Sequence, residues 1–281
     1  MSEPWFVVGC GYTGTRLARA LVGQGADLTI TRRTAEAVEE LAGELGARGV
    51  RVDLAEPATL AGVIPAGAII VVLAPPGPDP AAEIRGLIAA APHARRIVYV
   101  SSTGVYAPGG GAWVDENWPL QPTTESGAAR VIAERTLAEA RISHVSLRVA
   151  GIWGPGRGLV DRLQAGTYRI VGDGKAHVSR IHVVDLVDVI IRAGRSEISG
   201  AINVADDDPA PIGKVADELA ARMGVAPAPR VTVDSVSREV AGMLTADRRI
   251  ANRRMKNELG VALRYPTWAS WATRPSTDDG A

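Results

Sequence analysis

A strand, a glycine-spaced turn and a helix open this chain, and no other feature restricts its fold so strongly. Trp5 to Val8 is a short apolar run, and Gly9-Cys10-Gly11-Tyr12-Thr13-Gly14 follows it with the spacing G-x-G-x-x-G. Leu17, Leu21 and Val22 then fall on one face of a helix. Gly9 permits the tight turn, Gly11 lets a bound group approach the backbone, and Gly14 lets the helix pack on the strand. The free N–H groups at the helix start, those of Tyr12 and Thr13 among them, face an anion, and the macrodipole favours its charge. A second strand, Asp27 to Thr31, comes at the spacing a βαβ unit needs. The segment reads as a cradle for the pyrophosphate of a dinucleotide; a plain structural turn is the alternative.

The alternation continues. Apolar runs at Val50–Leu54, Ala68–Ala74, Arg96–Ser101 and Val145–Val149 read as further strands, and Ala35–Leu45, Asp79–Ala90 and Ser126–Ala140 as helices between them. Asp79 is an N-cap with Pro80 at the first helical position. Strands apolar on both faces that alternate with helices predict an α/β protein with a doubly wound parallel sheet. Its ligand crevice lies at the carboxyl ends of the strands, where Asp53, Leu54 and Leu73-Ala74-Pro75 are expected to line the cofactor. Beyond residue 150 the pattern loosens. His182–Arg195, Pro211–Gly224 and Ala246–Leu259 read as helices, and Ala201–Ala205 and Arg230–Val233 as strands. The division expected is a dinucleotide domain over 1–150, with 176–205 returning to it, and a small α/β substrate lobe from 151–175 and 206–281. Pro275 to Ala281 is expected to be a frayed tail.

With 281 residues, 46% of them apolar, and no net charge, the chain suits a globular protein with a large core and no general pull toward nucleic acid. Cys10 is the single cysteine, so an internal disulfide is excluded and a cytoplasmic location is expected. Met1 to Pro4 is too short for a signal peptide, and the longest apolar run, Ala66 to Pro76, is too short to span a membrane. The residue ending the second strand contacts the adenosine ribose, where an acid suits a hydroxyl and an arginine a 2′-phosphate. Arg32 and Arg33 stand there, so NADP(H) is the expected cofactor; a solvated arginine pair is the alternative. Asp53 is placed to bond the adenine amino group.

Residues 98–106, Val-Tyr-Val-Ser-Ser-Thr-Gly-Val-Tyr, begin a second series of motifs. Val114-Asp115-Glu116, Pro119 and Pro122 follow, then Leu147-Arg148-Val149-Ala150-Gly151-Ile152-Trp153-Gly154-Pro155-Gly156-Arg157 and Ser179-Arg180-Ile181-His182-Val183-Val184-Asp185. In combination these resemble the extended short-chain dehydrogenase/reductases of the epimerase/dehydratase group, from residue 5 to about 268. The resemblance implies a Rossmann domain, a carboxyl-terminal substrate lobe, a Ser102 hydroxyl bonded to a substrate carbonyl, and a homodimer through the helices at 79–90 and 126–140.

The central motif departs from that family, in which a proline is followed four residues later by a catalytic tyrosine, then after three more by a lysine. Here Pro122, Gly127 and Glu134 keep the register, so Ser126 stands at the tyrosine position and Arg130 at the lysine position. This resembles the atypical subgroup, as does the ending from Arg249 to Trp268. A tyrosine whose pKa of about 10 is lowered by a neighbouring cation exchanges protons near neutrality; a serine hydroxyl is a far weaker acid. Arg130 cannot titrate, yet its fork can hold a nicotinamide ribose or stabilise an oxyanion. Hydride delivery belongs to the cofactor and survives the change. The substrate therefore either stabilises its own charge or draws a proton from Tyr106, water or Ser126.

Ser102, Thr103, Ser126, Arg130 and Tyr106 are thus the candidate catalytic residues. Ser102, Thr103, Tyr106, Glu125, Arg157 and His182 are the candidate contacts to a small organic substrate. Asp185 is expected to cap the helix after His182, and the Asp206–Asp208 triplet to be a turn, with no ligand cluster for a metal. The basic run from Arg248 to Lys256 reads as the solvated face of a helix carrying Ile250 and Leu259, so nucleic acid is not expected as a partner. The expected activity is NADPH-dependent reduction of a carbonyl, imine or conjugated group. A nucleotide-sugar epimerase or dehydratase, and a cofactor-binding redox sensor without chemistry, are the alternatives.

Overall fold

The computed structural model describes residues 3–272; Met1, Ser2 and residues 273–281, with the expected tail, lie outside the described residues. The strands are β1 (Pro4–Val8), β2 (Asp27–Arg32), β3 (Arg48–Arg51), β4 (Ile69–Val72), β5 (Arg96–Ser102), β6 (Trp113–Val114), β7 (His144–Val149), β8 (Gly151–Trp153), β9 (Ile170–Val171), β10 (His177–Val178), β11 (Arg180–His182), β12 (Gly200–Val204), β13 (Ala210–Pro211), β14 (Arg230–Val231) and β15 (Arg249–Ile250). The α-helices are α1 (Tyr12–Gly23), α2 (Ala35–Leu45), α3 (Pro80–Ala90), α4 (Glu125–Glu139), α5 (Leu159–Gln164), α6 (Val183–Arg195), α7 (Ile212–Met223), α8 (Arg238–Leu244), α9 (Arg253–Leu259) and α10 (Trp268–Ala272).

Seven strands form one sheet in the order β12-β7-β5-β4-β1-β2-β3, and the pairs from β5 to β3 are parallel. The order reverses between β1 and β4, the switch point at which a doubly wound sheet opens a crevice. Both faces of β1 are buried, as its unbroken apolar run requires. Phe6 and Val8 join Ile70, Tyr99, Leu87 and Leu137 in one core cluster. Trp5 faces Gly194 of α6, where a Cβ would lie 2.5 Å from the indole ring.

The chain forms two compact units. The first runs to Ser101 and adds residues 129–147 and 187–202; the second comprises 102–128, 148–186 and the chain from Asn203 onward. The first unit holds the sheet. The second has its own core, with Trp153, Leu163, Tyr168, Ile170, Val215 and Leu219 packed together.

Two elements differ from expectation. The third strand ends at Arg51, although Val52 and Leu54 beyond it stay buried. Residues 246–259 are not one helix. Arg249–Ile250 pairs in parallel with Trp113–Val114, which buries Ile250 in strand form, and only Arg253–Leu259 is helical. Arg248 is not on a solvated face either: its buried guanidinium donates to the carbonyls of Tyr106 and Ala107. Its pKa is pushed down to about 10 by burial.

Candidate functional site

In the first unit the turn after β1 is held from both sides. Val8 lies opposite Thr31 on β2 and Val72 on β4. The Gly9 N–H donates to Thr31 Oγ1 (3.3 Å), the Cys10 N–H to the Thr31 carbonyl (3.0 Å), and the Leu73 and Ala74 N–H groups to the Val8 carbonyl (2.8 and 3.2 Å). Gly9 has φ +91°, and a Cβ there would sit 2.7 Å from Ala74 N. At Gly14 a Cβ would meet the Gly9 carbonyl at 2.7 Å, so the α1 start lies directly on the strand end. A Cβ at exposed Gly11 would meet nothing within 4 Å, leaving the outer side of the turn open. No side chain caps α1, and its first turn carries no acid. An uncapped helix N-terminus with no acid in its first turn suits an anionic diphosphate.

Apart from Arg130, the residues expected to meet the cofactor lie at or just beyond the ends of β1 to β4. Arg32 Nε donates to the Cys10 carbonyl (2.9 Å), so the guanidinium stands beside the turn, and Arg33 is exposed. Tyr12 lies under the Arg16 guanidinium, 4.0 Å from its ring centre, and Thr13 is buried within α1. Asp53 is half-buried and accepts from the Ala55 N–H (3.1 Å); Leu54 is buried, Leu73 and Ala74 half-buried, and Pro75 exposed. Burial pushes the Cys10 thiol up to about 11, which leaves it protonated and inert inside the turn. Arg130 stands on α4, one turn before Glu134, whose carboxylate accepts from Ser101 Oγ.

The second unit holds the other candidates. Ser102 Oγ accepts from the Gly104 N–H (3.0 Å), at the head of a short 3-10 turn over Thr103–Val105. The first turn of α4 abuts that turn closely: a Cβ on Gly127 would lie 2.4 Å from the Gly104 carbonyl. Ser102, Thr103, Glu125 and Ser126 are thereby gathered. Ser126 Oγ donates to Glu239 of α8, and the Glu125 N–H donates to the same carboxylate (3.2 Å). Sequence reasoning missed Glu239. Its one signal was Ser237, which caps α8 by accepting from the Val240 N–H, but seven residues are too few to show apolar periodicity.

Two further candidates are buried and one is exposed. Tyr106 is fully buried; its hydroxyl donates to Asn203 Oδ1 (2.6 Å) and accepts from Arg148 Nη1 (3.0 Å). His182 is buried and stacked on Tyr265 at 3.8 Å between ring centres. Arg157 is exposed on the turn where Gly154 and Arg157 exchange backbone hydrogen bonds. Asp185 lies in the first turn of α6, and its carboxylate accepts from the N–H groups of Arg264 and Tyr265 (2.7 and 2.9 Å). Among the described residues, no group of three or more His, Cys, Asp or Glu side chains could hold a metal, and no helix is long and apolar enough to cross a membrane.

The sheet, its switch point and the glycine turn define a short-chain dehydrogenase/reductase fold of the epimerase/dehydratase type. Residues 9–195 match the NAD(P)H-binding family, and the chain belongs to that family. A 3-diazoavenalumate denitrifying reductase of a Streptomyces species is 31% identical over 192 residues, 62% of this chain; the match spans 63% of that reductase, less than two thirds of its length. A conserved protein of unknown function from Silicibacter pomeroyi DSS is 31% identical with a TM-score of 0.82, over 96% of this chain and 97% of its own. The human epimerase family protein SDR39U1, solved with NADPH, shares the fold at 18% identity and a TM-score of 0.78, over 96% and 98% of the two chains.

Proposed function

We propose that this protein is an NADPH-dependent reductase acting on a carbonyl, imine or conjugated group of a small organic substrate. The observation that carries the reading is the open glycine turn with the Arg32 guanidinium fixed beside it. Bound NADPH would supply the hydride, and the chain's residues do the rest. Arg32 and Arg33 pair with the 2′-phosphate, and the α1 N–H groups with the diphosphate. Asp53 meets the adenine. Arg130, always cationic, holds the nicotinamide ribose or steadies negative charge as it develops. Ser102 accepts from Gly104, which leaves its own proton to point at the substrate carbonyl, with Thr103 beside it. Arg157 reaches the outer part of the substrate. The name of the Streptomyces relative supports a reductase. A diazonium group that takes up hydride leaves as N2 and asks for no proton, which suits a chain with serine where a tyrosine would stand.

Calorimetric titration with NADPH and NADH tests the cofactor. Wild type is expected to prefer NADPH, and Arg32→Asp to weaken NADPH by about 10- to 100-fold, the equivalent of ~1.5–3 kcal/mol for the lost charge-assisted bonds, with little change for NADH. A panel of carbonyls, imines and quinones tests the chemistry. No heat with either dinucleotide would overturn the reading. Tight binding with no NADPH oxidation by any acceptor would replace it with the sensor.

A further inference from the structure

The start of α4 joins a serine hydroxyl to a carboxylate from another helix. Glu239 reaches it from the first turn of α8, which Ser237 caps. Gly242 of α8 sits on Thr123 and Thr124: a Cβ there would lie 2.8 Å from Thr124 Cγ2, and Thr123 Oγ1 donates to the Gly242 carbonyl at 3.4 Å. The two oxygens of Glu239 have separate partners, Oε2 the Glu125 N–H and Oε1 the Ser126 hydroxyl. Capping a helix needs only the first of these bonds. The second bond engages a hydroxyl beside the Ser102 turn, since Gly127 touches Gly104. In the chain, Glu125 precedes Ser126 on α4 and Arg238 precedes Glu239 on α8.

From this geometry we infer that Glu239 is a positioning and proton-holding residue that acts through Ser126 on the substrate atom whose protonation accompanies hydride transfer. The inference rests on the reductase reading. A hydroxyl has one proton to donate. With that proton given to a carboxylate, Ser126 meets any further group as an acceptor. It then takes a proton from a substrate O–H or N–H while its own passes to Glu239, in the oxidising direction. In the reducing direction the path reverses. The hydride from NADPH forms the C–H bond, the Ser126 O–H breaks to form the substrate O–H or N–H, and the Glu239 carboxyl restores the serine proton. Glu239 is left as a carboxylate, which solvent reprotonates because the residue is only half-buried.

Glu239→Gln keeps the length and shape of the side chain with one acceptor oxygen, enough for the Glu125 N–H, and replaces the carboxylate that takes the Ser126 proton with an amide that cannot hold it. With a carbonyl acceptor, kcat is expected to fall on the order of 10²-fold while KM and the NADPH dissociation constant hold. The variant should also lose one ionisation limb of the pH–kcat/KM profile. With a quinone, which stores the hydride as a stable anion, turnover should not depend on Glu239. A second readout needs neither cofactor nor turnover. The infrared carboxylate band assigned to Glu239 by difference against Glu239→Gln should shift in Ser126→Ala, with both variants showing the wild-type melting temperature. If wild type turns over a carbonyl and Glu239→Gln matches it in rate and pH profile, Glu239 only caps α4 and the relay alone falls. An infrared band unmoved by Ser126→Ala also overturns it. Should wild type oxidise NADPH with no acceptor at all, the reductase reading falls and takes the relay with it.

Discussion

Tyr106 and Arg32 are both polar residues at strand or loop ends, and their local sequences do not tell a strut from a contact. In the fold, Tyr106 joins Arg148 and Asn203, and the Asn203 amide donates to the carbonyls of Val114 and Ala251 (3.1 and 3.2 Å), so the Tyr106–Asn203 pair links separate segments of the second unit. Tyr106→Phe would leave Asn203 Oδ1 without its donor in a buried site, and an unmet acceptor there costs about 1–3 kcal/mol. The urea midpoint is expected to fall accordingly; an unchanged midpoint would make the network dispensable. Gly9 is different: its φ of +91° and the Ala74 N that a Cβ would meet at 2.7 Å both demand glycine, and the G-x-G-x-x-G spacing exposes that directly.

Helix α3 shows how much a local signal can settle. Asp79 accepts from the Ala82 N–H (2.9 Å) and Pro80 occupies the first turn, as read from the sequence. Asp79→Ala removes the side-chain cap on the Ala82 N–H and should cost about 1 kcal/mol, measured by denaturant titration. The alternation around β1, β4 and β5 was equally legible, because these strands are buried on both faces and largely apolar, whereas β3 is mostly exposed and lies ahead of the expected run. Residues 246–259 failed for the opposite reason. Their apolar positions fit a helix, yet Ile250 is buried by pairing with Val114, a partner 136 residues earlier that no local window contains. Helix α8 was unread because it is short and carries its information in a contact to Ser126.

At the scale of the whole molecule, burial sets charge states that composition hides. Burial pushes the Asp206 carboxyl up to about 8, with Arg180 beside it pulling the other way, and Arg180 is itself pushed down by burial. An unfolded aspartate ionises near ~3.9. Between about pH 4 and 8 the folded chain therefore keeps a proton that the unfolded chain loses, and stability is present below that window and lost as pH rises through it, by up to ~1.4 kcal/mol per pH unit. Unfolding free energies measured across pH 4–8 should decline in wild type and decline less in Asp206→Asn. Parallel slopes would place the pH dependence elsewhere. The sequence alone determined the doubly wound class, the glycine turn and the arginines ending the second strand, since each follows from local strand, turn and helix patterns and their order along the chain. Only the tertiary structure decided that Tyr106 is a strut, that Ile250 is a strand residue and that Glu239 holds Ser126. Those contacts join Tyr106 to Asn203, Ser126 to Glu239 and Val114 to Ile250, which are 97, 113 and 136 residues apart, and chain order says nothing of distance in space.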